Sequence, residues 1–268
     1  MNLLFCINGK FLGLFANCLR SVVQNGGQAY YDAYVLHSDL ARPAMDGLEK
    51  DFSGSVDFHW IAVPEKLFAG FPESDRYPRQ IYYRLAAPLL LPRQLERALY
   101  LDVDTVIINP LTEFYRMAFD GNDYIGCTHT RRFLTKLNQA RLRSDKAVSY
   151  INTGVLQMNL PVLRQTLNME EICRYANARK HALILPDQDI LTALYGNQVK
   201  LADTLRYNLS DRILNFYNTD PTHKKLDLAW VRENSVIIHY CGKNKPWNQD
   251  YNGLLGVFYQ ELVSKAPI

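Results

Sequence analysis

ALYLDVDTVII, residues Ala98 to Ile108, is the stretch on which the reading of this chain turns. Four apolar or aromatic positions lead into Asp102-Val103-Asp104, and Val106, Ile107 and Ile108 follow. An apolar run of this kind suits a strand buried on both faces of a parallel sheet, so residues 97–108 read as one strand. Asp102 and Asp104, two apart on it, would point to the same face, about 6–7 Å apart at the backbone. Paired carboxylates at the end of a buried strand repel each other unless a cation or a shared proton compensates. Hard oxygen donors of this type suit Mg²⁺ or Mn²⁺ carrying a phosphate-bearing substrate. The alternative is that the strand has already ended and both aspartates are solvated in a turn.

Upstream, Leu3 to Asn8 reads as a strand leaving into a turn at Gly9, and Phe11 to Val23 as a helix with Phe11, Leu14, Phe15, Cys18, Leu19 and Val22 on one face. Residues 29–36 and 56–63 are strand-like. Tyr77 to Leu91 reads as a helix that Pro88 must bend or end. The β-α-β-α-β order implies an α/β fold, a mostly parallel sheet with helices on both faces. Downstream of Pro110, residues 124–127, 154–158, 199–202 and 236–240 look like strands, and residues 161–178, 189–195 and 254–263 like helices. With no Ser/Gly-rich linker and no repeat, residues 1–268 are expected to form one domain, with a nucleotide-binding half (1–110) and a second half (111–268). Ligands of open parallel sheets sit outside the carboxyl ends of strands, which directs attention to Asn8 and to Asp102–Asp104.

The 268 residues, 48% hydrophobic and 21% charged, exclude a disordered or low-complexity chain. The longest uncharged run, Ala147 to Leu163, carries Ser149, Asn152, Thr153, Gln157 and Asn159, so it is no membrane span. No basic region precedes the apolar start, so no signal peptide is expected and the location reads as cytoplasmic. Thirty basic against 27 acidic residues argues against nucleic acid as partner. Five cysteines without a C-x-x-C pair read as small buried apolar residues rather than a disulfide or zinc framework.

Three further polar clusters sit in apolar frames. In VIIHYCGKNKPWN (236–248), His239 ends an apolar strand, Gly242 frees the backbone, and Lys243 and Lys245 precede Pro246-Trp247. A neutral imidazole can complete a metal site begun by carboxylates, and a fixed lysine suits a diphosphate. In YINTGVLQMNL (150–160), Asn152 could place an amide near a ligand hydroxyl. In LPDQDIL (185–191), Asp187 reads either as a site residue or as a helix N-cap after Pro186. LDVDT also fits the nucleophile motif of haloacid-dehalogenase-like phosphatases, but three strand-like segments precede it, and the nearest acidic cluster, Asp120 and Asp123, follows too soon.

In order and spacing, D-x-D, N-x-G-V, D-Q-D and H-x-x-G-x-x-K-P-W resemble the family 8 glycosyltransferases. These transfer a hexose from a UDP-sugar with retention of configuration, and include bacterial lipopolysaccharide galactosyl- and glucosyltransferases and, distantly, glycogenin. The resemblance runs from Leu3 to about Trp247 and implies a GT-A-type fold. It implies that Asp102, Asp104 and His239 bind Mn²⁺ (or Mg²⁺), that Lys245 holds the diphosphate, and that Gly242 leaves room for the phosphates. Cys6, Ile7, Asn8 and Val103 would face the nucleoside and Arg84 the sugar and diphosphate; Asn152, Asp187 and Gln188 would surround the hexose, with Asp187, Gln188 and Lys245 serving catalysis. Gln188 would lie opposite the leaving group, but an amide is a poor nucleophile, and same-face attack assisted by the leaving phosphate is the other route. The implied partners are a UDP-hexose and a saccharide or glycolipid acceptor. The chain departs from the family at Asn8-Gly9-Lys10, where relatives end the first strand in an acidic residue, and at Thr130, where relatives carry an aspartate. Six basic residues between Arg131 and Lys146 would suit an anionic acceptor. The basic, aromatic tail that holds some relatives to membranes is not seen, so at most weak association with a membrane surface is expected. A sugar-nucleotide-binding protein without transfer activity is the alternative.

Overall fold

The computed structural model describes residues 1–73, 79–129, 138, 140–142 and 148–265. A seven-stranded sheet forms the centre. Its strands are β1 (Asn2–Cys6), β2 (Tyr31–His37), β3 (Val56–Ala62), β4 (Arg97–Leu101), β6 (Tyr124–Thr128), β7 (Ile151–Asn159) and β8 (Val199–Leu201), in the order β3-β2-β1-β4-β7-β6-β8. Only β7 runs against the others, pairing antiparallel with both β4 and β6. The sheet is thus mostly parallel, as expected. β5 (Thr105–Ile107) and β9 (Ile237–His239) pair antiparallel in a separate two-stranded sheet.

Leu3, Leu4 and Phe5 of β1 are all fully buried, because the sheet is covered on both faces. One face packs on α1 (Leu12–Asn25), through Phe15, Cys18, Leu19 and Val22, and on α2 (Arg42–Asp51). The other packs on α3 (Tyr83–Leu90), α4 (Leu160–Thr166), α5 (Met169–Arg179) and α6 (Pro186–Tyr195). A third core, around Val106, Leu214, Ile238 and Phe258, joins the small sheet to α7 (Asp211–Asn218) and α8 (Gly256–Ser264).

Three local expectations fail. Residues 97–108 are two strands in different sheets, because β4's register with β7 ends at Leu101–Val155 and the chain then turns away to meet β9. Residues 161–178 are two helices, because Asn168 stops the first and caps the second, accepting from the backbone N–H of Glu170 (3.0 Å) and Glu171 (3.1 Å). The helix read from residue 77 to Leu91 becomes α-helical only at Tyr83, after a 3-10 turn at Arg79–Tyr82, and with Pro88 inside it ends at Leu90. Residue 77, where that helix was expected to begin, lies outside the described residues.

Candidate active site

Asp102, Val103 and Asp104 form the tight turn between β4 and β5. The turn is closed by Thr105, whose backbone N–H (3.2 Å) and Oγ1 (2.8 Å) both donate to the Asp102 carbonyl. The same-face strand geometry is therefore overturned, and so is the solvated turn: the Asp102 and Asp104 side chains are only 27% and 17% exposed. Asp102 Oδ1 accepts from Tyr100 Oη (2.5 Å) and Arg84 Nη2 (2.9 Å), leaving Oδ2 facing His239 Nε2 at 3.8 Å. Asp104 presents Oδ1 to His239 Nε2 (3.2 Å) and Oδ2 to Lys245 Nζ (2.5 Å), which also donates to the Tyr240 carbonyl (2.7 Å). Burial alone would raise the Asp104 pKa, yet His239 and Lys245 together hold it well below the carboxylate range.

His239 ends β9 and is 2% exposed. Its Nδ1 lies 2.8 Å from Asn208 Oδ1, an oxygen that can only accept, so Nδ1 carries a proton and Nε2 is the ring atom turned to the carboxylates. Asn208 is itself fixed, donating from Nδ2 to Asn152 Oδ1 at 3.0 Å. Potential ligand atoms of Asp102, Asp104 and His239 all lie within 4.8 Å of one another. Behind them stands Gly154: a Cβ there would overlap the His239 ring and lie 2.7 Å from Asp102 Oδ2. Two carboxylate oxygens, an oriented imidazole and a space kept free of side chain fit a hard divalent cation.

A cavity of about 340 Å³ opens beside the turn, at the carboxyl ends of β1 and β4. Cys6, Ile7, Asn8, Phe11, Arg84, Val103, Lys245 and Trp247 line it together with both aspartates. Asn8 Oδ1 caps the short helical turn Gly9–Phe11, accepting from Lys10 N at 3.0 Å. Burial pushes the Cys6 thiol far up, so it stays neutral. The expectation of uniformly buried cysteines holds for Cys18 and Cys127, whereas Cys6, Cys173 and Cys241 are half-buried. Arg84 is 8% exposed and bridges Asp102 and Asp187, with a further bond to the Thr153 carbonyl (3.1 Å). Burial opposes its charge, but Asp102, Tyr100 and Asp187 outweigh that and keep it a permanent cation.

Asp187 is not a cap: α6 begins after Leu185 without a side-chain cap, and Asp187 Oδ2 instead takes the Thr153 hydroxyl (2.6 Å) and Arg84 Nη1 (3.2 Å). Burial raises its pKa against the pull of Arg84. Gln188 follows on the same first turn. Asp189, fully buried, is held by both Arg141 terminal nitrogens (2.9 and 2.7 Å), Tyr150 Oη (2.7 Å) and the N–H groups of Ile184 and Leu185. Gln188, Asn152 and Gly242 do not line the cavity beside the D-x-D turn. Asn152 instead braces Asn208 and Gly154 N, and Gly242 has open space around it and a φ of +98°, a backbone conformation that favours glycine. Thr130 and most of 131–146 lie outside the described residues. Sequence reasoning missed Tyr100, Thr105, Asn208 and Asp189; only Asp189 carried a signal, as the second acid of D-Q-D.

The chain matches the description "Glycosyl transferase family 8" over residues 2–251. It is 25% identical over 201 residues to a lipopolysaccharide 1,2-glucosyltransferase of Escherichia coli, covering 73% of this chain and 58% of that one. It is 20% identical over 238 residues to a lipopolysaccharide 1,3-galactosyltransferase of Salmonella typhimurium, covering 83% and 65%. The chain thus spans about three fifths of the length of these two relatives. The crystal structure of the galactosyltransferase LgtC with donor and acceptor sugar analogues superposes with a TM-score of 0.82 at 22% identity, covering 100% of this chain and 97% of that one. That likeness identifies the fold as GT-A, and with the match running through the D-x-D turn, the D-Q-D helix and the His239 strand, the phosphatase reading falls away and the chain belongs to glycosyl transferase family 8.

Proposed function

We propose that the protein transfers a hexose, glucose or galactose, from a UDP-sugar to a hydroxyl of a saccharide or glycolipid, with retention of configuration and dependence on a divalent cation, Mn²⁺ or Mg²⁺. The observation that carries this reading is the convergence of Asp102, Asp104 and His239 on a space that Gly154 leaves open, at the rim of the cavity between Asn8 and Trp247. Asp102 Oδ2, Asp104 Oδ1 and His239 Nε2 would hold the cation, which when bound supplies counter-charge to the diphosphate of the departing UDP. Ile7, Phe11 and Val103 offer the nucleoside an apolar wall and Asn8 a polar edge. Lys245, now on Asp104, is within reach of the same diphosphate and neutralises charge that grows as the glycosidic bond breaks. Arg84 holds Asp102 and Asp187 in register on the donor's sugar side, with Gln188 next to them.

The hydrogen bonding favours same-face attack. Asp189 gives both carboxylate oxygens to five donors and has none free for a covalent intermediate, and Asp187, with Oδ2 on Arg84 and Thr153, is held as the ion-pair partner of Arg84. The acceptor proton would pass to the leaving phosphate. We read residues 1–110 as the nucleotide-binding half and 111–268 as the sugar and acceptor half of one domain. No helix among the described residues is long and apolar enough to cross a membrane, and we read the location as cytoplasmic, next to a supply of UDP-sugars.

A panel of UDP-sugars with Mn²⁺, scored for UDP release with and without saccharides, tests the reading. UDP release should require the cation and one hexose donor, and Asp104→Asn and His239→Ala should each remove most of it. The double variant should be hardly worse than either single one, as for residues sharing one ion. Multiplicative losses, or unchanged Mn²⁺ affinity in both variants, would overturn the shared site.

A further inference from the structure

A second cavity, of about 470 Å³, shares His239 with the metal triad, so it meets the donor cavity at the centre of the site. Its walls come from α7 and from the segments after β9. Their chemistry is that of a saccharide site: the amides of Asn215, Asn244 and Asn252, the hydroxyl of Ser210 and the ring of Tyr240. Asn244 Nδ2 donates to Asn252 Oδ1 (3.0 Å), which joins two of these amides across the wall.

One charge in this wall is not neutralised. Asp211 turns to the chain's C-terminal segment, accepting from Tyr251 Oη (2.5 Å) and Leu255 N (3.0 Å). Arg212, next to it, lines the cavity and has no ion-pair partner among the described residues. Arg212 is exposed at the cavity's wall, so its guanidinium is open to a ligand that enters from solvent. A planar guanidinium with its donors free is a bidentate receptor for a phosphate or a carboxylate.

Resting on the glycosyltransferase reading above, we infer that this cavity receives the acceptor and that Arg212 selects a saccharide bearing an anionic group, a phosphate ester or a carboxylate, over a neutral one. The anion would lie against Arg212 while the saccharide's hydroxyls bond the asparagine amides, which directs one hydroxyl toward the triad. Arg212 is a specificity residue in this account. It touches the acceptor and not the reacting atoms.

The test measures UDP release from the active UDP-hexose and Mn²⁺ with glucose, glucose 6-phosphate or glucuronate as acceptor. At least one anionic sugar should exceed glucose in kcat/KM by about tenfold or more, the size of one charge-assisted contact. The glucose 6-phosphate and glucuronate arms tell phosphate from carboxylate. Arg212→Gln should collapse the anionic-over-neutral ratio through KM, and Arg212→Lys should keep part of it. Equal use of neutral and anionic sugars, no stimulation by any of the three, or a ratio unmoved by Arg212→Gln overturns the inference. Failure of every UDP-sugar to release UDP, with or without acceptor, would overturn the glycosyltransferase reading itself.

Discussion

Gly154 contributes to the site through the side chain it lacks. Any Cβ at this position meets the His239 ring and Asp102 Oδ2, so Gly154→Ala should displace one ligand of the triad while leaving β7's ladder to β4 in place. We expect Mn²⁺-dependent UDP binding, followed by calorimetry, to weaken by at least about tenfold and transfer to fall further; binding at wild-type strength would show that the triad does not share an ion. His129 works differently. Its Nε2 donates to the Asn208 carbonyl (2.8 Å) and its Nδ1 faces Cys241 Sγ (3.6 Å), and burial, aided by His239, lowers its pKa from 6.5 to about 3. Between these values the unfolded chain binds the proton and the folded one does not. The stability His129 allows is therefore intact above pH 6.5 and declines as the pH falls toward 3, by about 1.4 kcal/mol per unit. Urea unfolding at pH 7, 6 and 5 should show this slope in the wild type, and His129→Gln should flatten it.

At the scale of elements, Arg164 of α4 gathers the carbonyls left over where α3 ends: Pro88 (3.1 Å), Pro92 (2.8 Å), Arg93 (3.0 Å) and Leu95 (2.9 Å). Arg164→Ala should cost about 2 kcal/mol by leaving these acceptors without their charged donor. A drop of several degrees in Tm with an unchanged kcat is the expected result, and an unchanged Tm would show that water replaces the guanidinium. The order and type of most elements could be read from hydrophobic periodicity, and the triad from residue chemistry and spacing. What could not be read was the change of sheet at Asp102. Leu99 to Leu101 and Thr105 to Ile107 are equally buried, so the pattern does not mark where one sheet hands over to another. Asn208 was invisible for a related reason. Its role depends on where β9 places His239, a relation between distant segments that no local pattern encodes. The Asn168 break was legible, since an asparagine followed by Glu170 and Glu171 is a helix-start signal that the apolar spacing around it obscured.

At the scale of the whole molecule, the candidate site lies on the seam between the seven-stranded sheet and the small β5–β9 sheet, with the donor cavity on one side and the Arg212 cavity on the other. The large sheet's register is complete by β8, at Leu201, whereas His239, proposed to complete the cation site, and Lys245 arrive later in the chain. The Lys245–Asp104 pair closes a loop of 141 positions, among the slower events in folding because so much chain entropy must be lost first. In refolding, the far-UV signal of the sheet should therefore return before Mn²⁺-dependent binding of UDP does; simultaneous recovery would contradict this order. The seam thus makes competence a late property of synthesis. While the ribosome is still extending the chain toward residue 239, the nascent protein lacks the third member of the proposed cation site, and on the proposed function it would have no means to spend a sugar donor on water. On that reading only a chain translated past β9 could carry out transfer, and the pairing of β5 with β9 marks the polypeptide as finished that far.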